Sequence, residues 1–135
     1  MGSFCFIDKI TEVKNRESIT AFFELKGTEK FLKDHFQGFP VMPGVLLLEV
    51  LKQAACALLN RSGSQDNAPF YRLARVDDVK FGQFVRPGNR LKAFVRMAGE
   101  ADPSGHHFEG RLDWVNGQDS RGKVLSAEFQ LVPVV

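Results

Sequence analysis

The stretch His35-Phe-Gln-Gly-Phe-Pro-Val-Met-Pro-Gly-Val-Leu-Leu-Leu-Glu-Val-Leu-Lys-Gln53, continued by Ala-Ala-Cys-Ala-Leu-Leu-Asn60, decides how this chain folds. Its first part, up to Met42, reads as an irregular loop broken by glycine and proline. Its second part predicts a helix from about Pro43 to Leu59 or Asn60. At ~100° per residue, Leu47, Val50, Leu51, Ala54, Ala55, Leu58 and Leu59 form one broad apolar face. Such a face has to be buried against another layer. Pro43 suits the first helical position, where its missing N–H costs nothing. Gly44 follows, so no side chain screens the backbone N–H groups at the helix start. Those donors, with the positive end of the helix dipole, suit a carbonyl or oxyanion. One base, His35, lies upstream, and one acid, Glu49, lies on the helix. A base, an acid and a backbone oxyanion site are what proton abstraction beside a thioester carbonyl requires.

Glu49 falls on the narrow stripe left over by the apolar face, with Lys52, Gln53, Cys56 and Asn60. Read alone, it is one member of a solvated polar face. Val45 and Leu46 lie one turn earlier on the same side, however, so the stripe is greasy where it meets the loop. A partner chain covering that end would desolvate the carboxyl and keep it protonated as an acid.

Outward from this core the chain reads as strands. Residues 4–13 and 17–26 form two, joined near Asn15-Arg16, with Phe4, Phe6, Ile19, Phe22, Phe23 and Leu25 supplying β-favouring bulk. Thr28 to Lys33 suggests a short helical turn capped by Thr28. Arg61 to Pro69 is a polar connection. Phe70 to Val85 reads as one long or bent strand, closed by an Arg86-Pro-Gly-Asn89 turn. Leu91, Ala93, Val95 and Met97 share one face of the next strand, with Phe94 opposite. Gly99 to Gly105 is a turn, which leaves His106 and His107 at a solvated hairpin tip. Phe108, Leu112 and Trp114 mark a further strand before Asn116-Gly117, and Val124 to Val132 closes the domain. Six strand-like segments and one buried helix predict a single α+β domain over residues 1–135.

Composition narrows the function classes. The 135 residues are 44% hydrophobic and 25% charged, as in an ordinary globular domain. No apolar run approaches the ~20 residues of a membrane span. No basic region precedes the short apolar run at the N-terminus, which argues against a secretory signal. Two cysteines cannot build a disulfide framework and suggest a reducing compartment, so the cytoplasm is expected. Three histidines and two distant cysteines lack zinc-ligand spacing, so no metal is expected. There is no phosphate-binding glycine signature, and no cofactor is expected. Cys56 reads as a small packing residue rather than a nucleophile. Arg72, Arg75, Lys80, Arg86, Arg90, Lys92 and Arg96 cluster in the middle third. They are a solvated strand face or a basic patch that steers an acidic partner. A net charge of +2 disfavours nucleic acid, and the 13 phenylalanines read as core and channel lining rather than base-stacking platforms.

The pattern His35, Phe36, Gly38, Pro40, Met42, Pro43, Gly44, Val45, Leu46, Glu49, Leu51, Gln53 resembles the active-site segment of the β-hydroxyacyl-acyl-carrier-protein dehydratases of hotdog fold. Val79-Lys-Phe-Gly-Gln-Phe-Val-Arg-Pro-Gly-Asn-Arg-Leu91 resembles that family's later strand and turn, and Phe6 to Ile10 its opening. The resemblance implies an antiparallel sheet of about six strands wrapped around one long central helix. It implies that His35 deprotonates the carbon beside the thioester carbonyl and that Glu49 protonates the departing hydroxyl. The Gly44 N–H, aided by that of Val41, would hold the carbonyl oxygen. Gln53 and Asp34 are candidates to support these groups. It further implies a substrate carried on the phosphopantetheine of acyl carrier protein, and a homodimer in which His35 of one chain faces Glu49 of the other, with higher oligomers left open. Six residues into the helix places Glu49 ~9 Å along the axis from Pro43, so one chain need not bring both groups together. The chain departs from the family's usual residues at Asp34, Gln37 and Lys52. Thioesterase activity, double-bond isomerisation and a non-catalytic hotdog subunit in a heterodimer are the alternatives.

Overall fold

In a computed structural model of the chain, the described residues are 7–14, 17–24, 44–61, 71–82, 85, 90–99, 105–115 and 123–133. They form β1 (Lys9–Lys14), β2 (Ser18–Glu24), α1 (Gly44–Arg61), β3 (Tyr71–Phe81), β4 (Arg90–Met97), β5 (His106–Trp114) and β6 (Lys123–Pro133). The strands make one antiparallel sheet in the order β1-β2-β4-β5-β6-β3, and α1 packs across β2, β4 and β5. This is the helix-on-sheet arrangement expected of a hotdog domain.

Period-two alternation explains which side of the sheet meets the helix. Along β4, Leu91, Ala93 and Val95 are buried while Arg90, Lys92, Phe94 and Arg96 are exposed. Their neighbours on the same face are Leu112 and Gly110 of β5, then Leu125 and Ala127 of β6. The seven α1 residues assigned to the apolar face are all buried, none more than 3% exposed. Burying each of the larger ones stabilises the fold by about 1.5–3 kcal/mol. Gly110 permits the close approach of the two layers. A side-chain carbon there would lie 2.9 Å from Phe129 Cε1 and 3.0 Å from the Leu51 methyls.

Two boundaries differ from the sequence expectation. β3 stops at Phe81 rather than running to Val85. Its register with β6 slips between Asp77 and Lys80, where Asp78 adopts φ 51°, the left-handed conformation of a bulge. Gly82 is the first residue past the strand, and its N–H still donates to the Val124 carbonyl of β6 at 2.8 Å. His106 and His107 are not at a solvated tip: they open β5, half-buried, and the His106 ring meets Tyr71 edge-on at 5.8 Å. The turn proposed at Thr28–Lys33, the 86–89 turn and the reversal at Asn116-Gly117 lie outside the described residues.

Candidate active site

The site is built on the first three turns of α1. Gly44 opens the helix, and the ring of Phe81 closes over it. A side-chain carbon at position 44 would lie 2.9 Å from Phe81 Cε1 and 3.1 Å from Cζ. Phe81 pairs with Leu125 and shares its helix-facing side, but sits at the free edge of the sheet and stays 63% exposed. Val45 beside it is 72% exposed. Two exposed apolar side chains therefore stand at the helix start.

Five residues on, about 7.5 Å along the axis, Glu49 projects from the side of α1 that the sheet leaves uncovered. Its side chain is 34% exposed, and both carboxylate oxygens are engaged. Gln53 Nε2 donates to Oε2 at 3.1 Å, from one turn further along. Lys52 Nζ lies 3.8 Å from Oε1. Spacings of three and four residues put all three side chains on one stripe. Cys56 completes it one turn later. Burial pushes its thiol up to about 11, the Lys52 charge pulling down and Glu49 pushing up. A thiol so poorly ionised at neutral pH is a packing group, as its sequence context suggests.

The structure thus brings Gly44, Glu49 and Gln53 onto one helix. His35, Asp34 and Val41 lie outside the described residues. Lys52 and Phe81 are the two neighbours that motif reading did not assign to the site. The i,i+3 spacing of Glu49 and Lys52 was a local signal for the first; the second is a contact between distant segments and left none.

The described basic residues of the middle third divide between two strands. Arg72, Arg75 and Lys80 lie on β3, whereas Arg90, Lys92 and Arg96 lie on β4. β5 and β6 stand between these strands, a separation of about 14 Å. Arg75 is paired with Asp77 at 2.8 Å, and Arg96 is paired with Glu109. Among the described residues no group of three or more His, Cys, Asp or Glu side chains is arranged to hold a metal ion. No described helix is long and apolar enough to cross a membrane.

A six-stranded antiparallel sheet laid against one long helix is the architecture of a hotdog domain. The ApeI-like family, described as ApeI dehydratase, matches residues 11–117, and the chain belongs to this family of dehydratases. It is 42% identical to the 3-hydroxyacyl-[acyl-carrier-protein] dehydratase FabZ of Polynucleobacter necessarius, over 76% of this chain and 66% of that one. It is 38% identical to the FabZ of Oceanobacillus iheyensis, over 76% of this chain and 72% of that one. The match therefore spans about two thirds of the length of these relatives. Among solved structures, the dehydratase heterocomplex ApeI:P from Xenorhabdus doucetiae aligns with a TM-score of 0.65 at 22% identity, covering 89% of this chain and 91% of that one. Protein smu.793 from Streptococcus mutans, bound to acetyl CoA, aligns with a TM-score of 0.69 at 12% identity, covering 99% and 93%. These two likenesses establish the hotdog fold.

Proposed function

We propose that this chain removes water from β-hydroxyacyl thioesters carried on acyl carrier protein, giving the trans-2-enoyl thioester. His35 takes the proton from the carbon beside the carbonyl. Glu49 gives a proton to the departing hydroxyl, directly or through a water. The Gly44 N–H, with that of Val41, holds the carbonyl oxygen as negative charge builds on it. Gln53 keeps the Glu49 carboxyl oriented, and Asp34 orients His35. The reading rests chiefly on one observation: a carboxyl group anchored by Gln53 at 3.1 Å, on the helix that Gly44 opens.

The catalytic unit in this proposal is a cytoplasmic homodimer, His35 of each chain facing Glu49 of the other. Exposed Val45 and Phe81 beside the helix start support it, since a second chain would cover such apolar side chains. The solved ApeI:P dehydratase is a heterocomplex, which favours a second reading in which a different hotdog chain takes the partner's place.

The test is to incubate the purified chain with β-hydroxyacyl- and crotonyl-carrier protein and follow the enoyl absorbance. Interconversion is expected, falling about 10²–10⁴-fold in His35→Ala. No interconversion at any chain length, or a fully active His35→Ala variant, contradicts the proposal. A chain silent alone but active when mixed with a related hotdog chain selects the heterodimer.

A further inference from the structure

We propose that Trp114 is a substrate-positioning residue, its indole N–H donating a hydrogen bond to an oxygen of the bound acyl thioester. The inference rests on the dehydratase reading above and begins with the sheet. Trp114 ends β5, two residues beyond Leu112 and four beyond Gly110, so it shares their helix-facing side. Leu112 lies in register with Leu125, and Leu125 with Phe81, the residue whose ring covers Gly44. Trp114 is the next step outward from that row, opposite Leu91. It therefore occupies the same face and the same end of the sheet as the start of α1.

Its ring body packs partly buried against the core, yet its Nε1 is buried with no acceptor among the described residues. Buried indole N–H groups normally find a partner, because a desolvated and unpaired donor is costly. A phenylalanine would fill the same apolar space without that cost. The donor is thus matched to a ligand that brings its own acceptor. An acyl thioester on a pantetheine arm brings several: the amide carbonyls of the arm and the oxygen on the β-carbon. The thioester carbonyl is already assigned to the Gly44 N–H. The indole holds its proton throughout, so Trp114 positions the substrate and transfers nothing.

Trp114 is the one tryptophan in the 135 residues, so its signals are unambiguous. Butyryl-pantetheine, which lacks the β-oxygen, and 3-hydroxybutyryl-pantetheine are added separately to the full chain. The indole N–H band is followed by ultraviolet resonance Raman, and binding is followed by calorimetry. A shift of the band to its hydrogen-bonded position with both ligands assigns an amide carbonyl; a shift with the hydroxy ligand alone assigns the β-oxygen. Trp114→Phe is expected to raise KM roughly 3- to 10-fold, the loss of one hydrogen bond, with kcat within about twofold of wild type. Should that variant fail to fold, the wild-type band decides. Binding without a band shift, or an unchanged KM in Trp114→Phe, overturns the Trp114 assignment alone. No binding of either pantetheine together with no turnover of β-hydroxyacyl-carrier protein overturns it along with the dehydratase reading.

Discussion

The two sides of α1 do different work. The side against the sheet carries Leu47, Val50, Leu51, Ala54, Ala55, Leu58 and Leu59, all buried, and its energy comes from area removed from water. The opposite side carries Glu49, Lys52 and Gln53, joined by contacts of a kind that contribute only about 0.2–0.5 kcal/mol each. Stability is concentrated on one side, and the proposed chemistry on the other. Mutations on the two should therefore have separable effects.

The largest expected effect is on the polar side. Glu49→Gln should lower kcat about 10²–10⁴-fold while leaving the melting temperature nearly unchanged, because the side chain is one-third exposed and its tethers are weak. Enzyme kinetics and a thermal scan on the same preparation check this, and a large drop in melting temperature would break the comparison. On the apolar side, Leu58→Ala should cost about 2–5 kcal/mol of stability, read from denaturant midpoints. Its kcat per folded molecule should match wild type.

A smaller effect belongs to the outer face of the sheet. Glu128 stands between Asp77 and Glu109 in the strand registers. A hydrogen bond that the protonated Glu128 carboxyl donates to Asp78, then repulsion from that and neighbouring carboxylates, pushes the Glu128 carboxyl above its ordinary range. A carboxyl raised in the folded state contributes stability that is fully present below its unfolded pKa. That contribution is lost as pH rises through the raised value. Asp78→Asn should flatten this fall, raising the melting temperature slightly at pH 7 and not at pH 4. Asparagine tolerates the φ of 51° at this bulge, so the backbone should add no cost of its own. A steeper pH dependence in the variant would refute the account of this face.

The apolar face of α1 was legible because helical periodicity is local, and β4 was legible because Leu91, Ala93 and Val95 alternate with Arg90, Lys92, Phe94 and Arg96. The end of β3 was not. Its hydrophobic pattern continues towards Val85, and only pairing with β6 reveals the bulge at Asp78 and the strand's end before Gly82. At His106 and His107 the local sequence points to a turn because Pro103-Ser-Gly105 has turn composition, while the strand that starts there is specified by pairing with Leu131 and Gln130. Strand order is likewise non-local, and it is what divides the basic residues between two strands. At the site, the Glu49–Gln53 tether follows from helical spacing. The closure of Phe81 over Gly44 joins residues 37 positions apart, and no short motif encodes it.

The proposed sharing of the site between two chains is tested most directly by mixing two inactive variants. His35→Ala and Glu49→Ala homodimers are each expected to have lost nearly all turnover of β-hydroxyacyl-carrier protein. After subunit exchange, half of the dimers are mixed, and each mixed dimer has one site with both residues intact. Roughly a quarter of wild-type activity should then return, as two-fold symmetry requires. Exchange confirmed by mass spectrometry with no recovery of activity would contradict a site built from the His35 of one chain and the Glu49 of its partner.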